Sequence, residues 1–427
     1  MGISAGRTLM ERRLQDSLDR RRIKSTLRSL TLPSASQVDF SSNDFLSLSK
    51  CPKLKAAFLA EIRNTNIALG SGGSRLLDGN SEYAECLERD IAQFHGAEAG
   101  LLFNSGFDAN AGLFACIPQP GDIIVYDELI HASVHDGIRM SRATQAVSFR
   151  HNSVSDLRQV LQYLNRGTQD RESNQKSILV AIEAIYSMDG DIAPLKEILD
   201  VVDEVLGPGR GHLIIDEAHS TGVLGQRGAG LVSELGLQHR VFARLHTFGK
   251  SLAGTGAIVL GSDTLRQYLI NYARPLIYST FLAYPSLVLI RAAYDLLQDG
   301  ETAAMQAQLH LLIKSFFTSL HELQERSVAV QTLLKIPNAC PKSSIFAIQL
   351  QDPKSLARAL QNGGFMVRAV VPPTVPLGTQ RIRICLHAGN TEEELDDLIR
   401  ALKLWCDAQL LKEQGHNTKN MGVLSRL

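Results

Sequence analysis

The stretch His212-Leu213-Ile214-Ile215-Asp216-Glu217-Ala218-His219 decides how the rest of the chain is read. It is a short apolar run that stops on an acid and then turns through Ser220-Thr221-Gly222, the pattern of a buried strand with a carboxylate at its end. Open α/β sheets hold their ligands just beyond such strand ends. Working outward, comparable β-rich runs recur at 100–103, 122–126, 177–185, 241–245 and 257–260, separated by helical patterns such as 195–206. That alternation predicts an α/β fold with a mostly parallel central sheet and helices on both faces. After Arg291 the pattern changes to long helices, including 303–325, then apolar runs at 344–350 and 381–386 and a helix over 392–409. The expected division is an N-terminal helix and arm over 1–50, a large α/β domain over 51–290, a small C-terminal α+β domain over 291–412, and a flexible tail over 413–427.

Composition narrows the function before any motif does. The 427 residues carry 44 Lys and Arg against 44 Asp and Glu, so no overall basic field exists to hold nucleic acid. The six cysteines form no C-x-x-C pair, which argues against a zinc site or a disulfide framework. Apolar stretches are broken by charges such as Glu183 well short of the roughly 18 residues of a membrane span. Residues 7–28 are rich in arginine, with Leu14, Leu18 and Leu27 spaced like one helix face; the interspersed Glu11, Asp16 and Asp19 favour a solvated helix over a transit peptide. The final Ser425-Arg426-Leu427 is a close variant of the Ser-Lys-Leu peroxisomal address, which predicts peroxisomal residence through an import receptor, with the cytoplasm as the alternative.

Three motifs are decoys. Gly70-Ser71-Gly72-Gly73-Ser74-Arg75 has Arg75 where a dinucleotide fingerprint needs its third glycine, and it follows a helical pattern, not a strand. Gly249-Lys250-Ser251 ends like a phosphate-binding loop but has Arg244 at the position of the first glycine. His131 and His135, lacking a neighbouring Glu, read as a helix surface, not a metal pair. What survives is Asp216 together with Thr247-Phe248-Gly249-Lys250, where a lysine sits in a tight loop with apolar or hydroxylated flanks, suited to a lowered pKa and Schiff-base chemistry. Asn104-Ser105-Gly106-Phe107 opens a helix after the strand at 100–103, so its backbone N–H groups can bind phosphate. Pyridoxal 5'-phosphate accounts for the set, because it needs a lysine for its aldehyde, a carboxylate for its ring nitrogen and donors for its phosphate.

The chain resembles the α-oxoamine synthases, a branch of the fold-type I pyridoxal-phosphate-dependent transferases, over residues 38–405. The resemblance is carried by Ser41-Ser42-Asn43-Asp44-Phe45-Leu46, Gly70 to Leu76, Ser187-Met188-Asp189-Gly190-Asp191, Asp216-Glu217-Ala218-His219 and Thr247-Phe248-Gly249-Lys250, in the family's order and spacing. Ile277-Tyr278-Ser279-Thr280 and Pro372-Pro373-Thr374-Val375-Pro376 are most similar to the biotin-pathway branch, which condenses pimeloyl-CoA with L-alanine. The resemblance implies Lys250, His131, Asp216 and His219 as catalytic residues, with Lys250 on the aldehyde, Asp216 on the ring nitrogen, His219 on the ring hydroxyl and His131 on the ring face. It implies Ser105, Gly106, Phe107, Ser187, Thr247 and Thr280 as further cofactor contacts, the last serving a partner subunit in a homodimer. Asn43, His131, Thr374, Arg383 and Arg28 would meet substrate, an arginine suiting a carboxylate through its planar fork. Arg28 reads equally as a solvated helix residue. Val371 stands where relatives often have Arg, and Phe45 and Ser47 replace the usual Tyr and Gly, so another acyl donor in secondary metabolism is the alternative substrate. A cofactor-binding regulatory protein or inactive subunit is the non-enzymatic alternative, and Lys250 counts against it.

Overall fold

The computed structural model describes residues 8–24, 26–32, 34, 36–64, 68–166 and 176–424. Two units make up the chain, one ending at Gln37 and one beginning at Val38. The first carries the helix Leu9–Ile23, none of whose residues is buried. Thr8 and Glu11 cap it reciprocally: Thr8 Oγ1 accepts the Glu11 N–H at 3.2 Å and Glu11 Oε2 accepts the Thr8 N–H at 2.6 Å. The helix ends before Leu27 and Arg28, so these two do not extend its face as the leucine spacing predicted. Its last turn carries Arg20, Arg21 and Arg22, whose charge favours the carbonyl end of a helix.

The second unit is built on strands β1 (Val38–Asp39), β2 (Ala99–Phe103), β3 (Ile123–Asp127), β4 (Gln145–Phe149), β5 (Ile178–Glu183), β6 (Gly211–Asp216), β7 (Ala243–Thr247), β8 (Ala257–Gly261), β9 (Ile345–Gln349), β10 (Phe365–Met366), β11 (Arg368–Val370) and β12 (Arg381–Cys385). Seven of them form one sheet in the order β2-β8-β7-β6-β5-β3-β4. Strands β3 to β7 run parallel, and β8 is antiparallel to both its neighbours. Along the central strands β3, β5 and β6 the period of two divides the side chains between two cores. Val125, Val180, Ile182, Leu213 and Ile215 enter one, while Ile124, Leu179, Ala181 and Ile214 enter the other. Because both faces are covered, β5 is buried along its whole length, as a parallel strand between helices must be. Edge strand β4 was not anticipated: only its Phe149 is buried, so it lacks an apolar signature.

A three-stranded antiparallel sheet, β11-β12-β9, follows later in the chain, and β1 pairs in parallel with β10. Phe40 stitches these pieces together. Its N–H donates to Met366 O at 3.0 Å and its carbonyl accepts the Cys385 N–H at 2.9 Å, which leads the chain through Asn43 beside β12. The last helix runs Glu392–Leu424, past the expected end at Gln409 and into the segment expected to be a tail, since residues 410–424 contain no proline to stop it. Ser425, Arg426 and Leu427 lie outside the described residues. No helix among the described residues is long and apolar enough to cross a membrane.

Candidate active site

The carboxyl ends of β2, β5, β6 and β7 converge on a cavity of about 410 Å³. That lies within the range of small-molecule sites, roughly 300–1,000 Å³. One wall is a helix start. Ser105 caps the helix Gly106–Cys116, its Oγ accepting the Asp108 N–H at 3.0 Å, so the first-turn N–H groups at Gly106 and Phe107 have no partner within the helix. A Cβ on Gly106 would lie 2.5 Å from the Thr247 methyl, so only glycine lets this helix start approach the end of β7. Thr247 and Thr255 add hydroxyls to the same cavity.

The opposite wall is acidic. Asp216 ends β6, with Oδ1 accepting the Ala218 N–H at 2.8 Å and Oδ2 accepting from Asn110 Nδ2 at 2.8 Å. Glu183, its register partner at the end of β5, is buried. Burial and then the Asp216 charge push the Glu183 pKa well above the usual carboxylate range, against the pull of Lys250 and the His131 N–H. Lys250, in the turn after β7, reaches toward Thr247 Oγ1 at 3.5 Å. Burial lowers its pKa, opposed by the charges of Asp216 and Glu183 and reinforced by Arg383. His219 packs near the Phe45 ring, 6.1 Å between centroids, and burial with the nearby Lys250 and Arg383 charges holds it well below the usual histidine pKa and therefore neutral. His131 caps the helix Ala132–Met140, and desolvation lowers its pKa against the attraction of Asp216.

The third wall is a guanidinium clamp. Arg383 on β12 donates from Nε to Ser187 O at 2.6 Å and from Nη2 to Asn43 Oδ1 at 3.0 Å. Arginine has five N–H donors, and these two bonds use two of them. The loop carrying Ser187 is itself held, by the Arg381–Asp189 ion pair and by His151, whose ring bridges Asp127 at 2.9 Å and Asp191 at 2.7 Å.

Of the residues anticipated from sequence, Lys250, His131, Asp216, His219, Ser105, Gly106, Phe107, Ser187, Thr247, Asn43 and Arg383 all line this cavity. Thr280 does not: its side chain is exposed, and its carbonyl accepts from Asn104 Nδ2 at 2.7 Å. Thr374 is exposed in the turn after Val371, and Arg28 is exposed in the first unit. Sequence reasoning missed Asn110, Glu183 and Met188, which also line the cavity. Glu183 had a signal, a charge set into an otherwise apolar strand end. Asn110 had a weaker one, a polar residue one turn after the glycine of a helix start.

Pyridoxal 5'-phosphate fits this arrangement on the structure's own terms. The donor-rich helix start suits its phosphate, the Asp216 carboxylate its ring nitrogen, and the buried Lys250 amine its aldehyde. Comparison with known proteins agrees. Residues 35–402 match the family model for aminotransferase class I and II. An 8-amino-7-oxononanoate synthase of Emericella nidulans is 50% identical over 394 residues, covering 92% of this chain and 95% of the relative. The aminoacyl transferase sphA of Aspergillus fumigatus is 41% identical over 418 residues, covering 95% and 89%. Among solved structures, serine palmitoyltransferase of Sphingomonas wittichii superposes with a TM-score of 0.78 at 25% identity, covering 95% of this chain and all of that one.

Proposed function

The chain belongs to the aminotransferase class I and II family, in its α-oxoamine synthase branch of pyridoxal-phosphate-dependent acyltransferases, and from that premise we propose that it condenses L-alanine with pimeloyl-CoA to 8-amino-7-oxononanoate, releasing CoA and CO2. The substrate choice is carried by the similarity to the Emericella nidulans enzyme along nearly the whole chain. Bound pyridoxal phosphate supplies an aldehyde carbon that takes up amines and a protonated ring that accepts the electrons of a broken Cα bond. Lys250 would hold that carbon until alanine displaces its amine. Lys250 Nζ, whose pKa burial lowers, would serve as the base for the alanine Cα proton and return a proton after CO2 leaves. Asp216 would keep the ring nitrogen protonated, Arg383 would grip the alanine carboxylate while Asn43 and Ser187 brace it, and neutral His219 would donate to the ring hydroxyl.

Thr374 would meet a substrate carboxylate, and a homodimer would turn the exposed Thr280 toward the partner's phosphate. Peroxisomal import through Ser425-Arg426-Leu427 is part of the same proposal. A second reading, a different acyl-CoA, is favoured by Val371 and by the similarity to the sphA transferase. The deciding experiment offers L-alanine, glycine and L-serine against a panel of acyl-CoAs, scoring free thiol and product mass. Alanine with pimeloyl-CoA should react fastest. Faster reaction of serine with palmitoyl-CoA, or of glycine with acetyl-CoA, overturns the biotin reading.

A further inference from the structure

Asn110 lies in the helix Gly106–Cys116 at 3% exposure, and the reaction outlined above gives it no role. Its amide nitrogen is the branch point of a hydrogen-bond chain. Nδ2 donates one hydrogen to Asp216 Oδ2 at 2.8 Å and the other to Ser133 Oγ at 3.1 Å. Chemistry sets the direction: a carboxylate only accepts, so the amide must present its NH2 and not its oxygen to Asp216. Ser133 is fully buried, and its Oγ lies 2.7 Å from His131 Nδ1, where the histidine tautomer decides which atom donates. The Ser133 backbone N–H points at the same nitrogen from 3.3 Å. Because a backbone N–H can only donate, Nδ1 is the acceptor, the Ser133 hydroxyl donates to it as well, and the neutral ring carries its hydrogen on Nε2.

We propose that Asn110 and Ser133 are positioning residues that tie the Asp216 carboxylate to the His131 ring, fixing one oxygen of the acid and the tautomer of the histidine. His131 then offers an Nε2–H donor to whatever occupies the cavity, and Asp216 keeps one oxygen anchored while the other lies with the Ala218 N–H. The two catalytic groups cannot reorient independently, because Asn110 uses both amide hydrogens to join Asp216 to Ser133, which in turn holds the His131 ring.

The inference rests on the cofactor reading, and the decisive signal is read without substrate. The ring nitrogens of His131 are observed by 15N NMR in full-length holoenzyme, assigned by their loss in His131→Gln. Nδ1 should appear unprotonated and Nε2 protonated. Ser133→Ala removes one oxygen and should shift both signals toward a tautomer mixture, lowering turnover about tenfold with cofactor affinity unchanged, the size of effect one buried hydrogen bond gives. Asn110→Ala should move the same signals and also weaken pyridoxal phosphate binding about tenfold, since Asp216 loses a donor. A protonated Nδ1 in the wild type, or His131 signals unchanged in Ser133→Ala, overturns the inference whatever the turnover does. Should Asn110→Ala fail to fold, Ser133→Ala decides. Inactivity toward pimeloyl-CoA would sink the substrate reading and leave the histidine signals as they are.

Discussion

Ser47 shows backbone and side chain pulling in opposite directions. Its φ of 57° and ψ of 28° place it in the left-handed region, where a side chain costs roughly 1–2 kcal/mol and glycine pays nothing. Yet its Oγ accepts the Gly389 N–H at 2.9 Å, a contact glycine cannot make. The two effects are of similar size, so Ser47→Gly should stay within about 1 kcal/mol of wild type, whereas Ser47→Ala keeps the strain, loses the bond and should fall about 1 kcal/mol or more below Ser47→Gly in urea unfolding. A lower stability for the glycine variant than for the alanine one would reverse this account. At the site itself, borohydride reduction should fix the pyridoxyl group on Lys250 and on no other lysine. Asp216→Asn should fold normally and lose about a hundredfold or more in turnover, because an amide cannot hold the ring-nitrogen proton. Near-wild-type rates would remove Asp216 from that role. These residues were legible in the sequence because each ends a strand or sits in a glycine turn. Glu183 and Asn110 were not, because a buried acid and a buried amide take their meaning from neighbours that only folding supplies.

At the scale of elements, the loop from Ile185 to Ile192 carries Ser187 to the cavity and depends on His151, in the turn after β4, for its seat. Burial alone would push the His151 pKa down, but hydrogen bonds to Asp127 and Asp191, reinforced by their charges, carry it up to about 10. Both ring nitrogens donate, to Asp127 Oδ1 and Asp191 Oδ2, which requires the charged ring. A folded pKa raised above the unfolded value of about 6.5 gives stability fully present below pH of about 6.5 and lost as pH climbs toward about 10. Unfolding free energy measured across that window should therefore decline, and His151→Gln should flatten the decline while lowering stability at neutral pH. An identical slope in the variant would place the titration elsewhere. The strand ends that build this site were readable from apolar runs closing on polar residues. The anchoring of the loop was not, since Asp127, His151 and Asp191 come from separate segments with no shared motif.

Over the whole molecule, the change of pattern after Arg291 was legible as a change of architecture, but how far the two parts fold together was not. Main-sheet residues Val180, Ile182 and Ile215 share one apolar core with Phe346, Ile384, Leu398 and Leu402 of the later segment. A core continuous across both sheets leaves no low-cost plane along which one could unfold alone. The chain supplies a probe for this, because its single tryptophan, Trp405, lies in the last helix and packs against that core. Absorbance of the bound pyridoxal phosphate reports the cavity. The two signals should change in one coincident thermal transition, the mark of a cooperative unit. Ligand linkage sharpens the expectation: cofactor at one hundred times its Kd adds about 2.7 kcal/mol to whatever unfolds with the site. The Trp405 transition should therefore move up in temperature by the same amount as the absorbance transition when cofactor is added. A Trp405 transition that ignores the cofactor would mean that the C-terminal segment melts as an independent domain, as the sequence division at residue 291 implies.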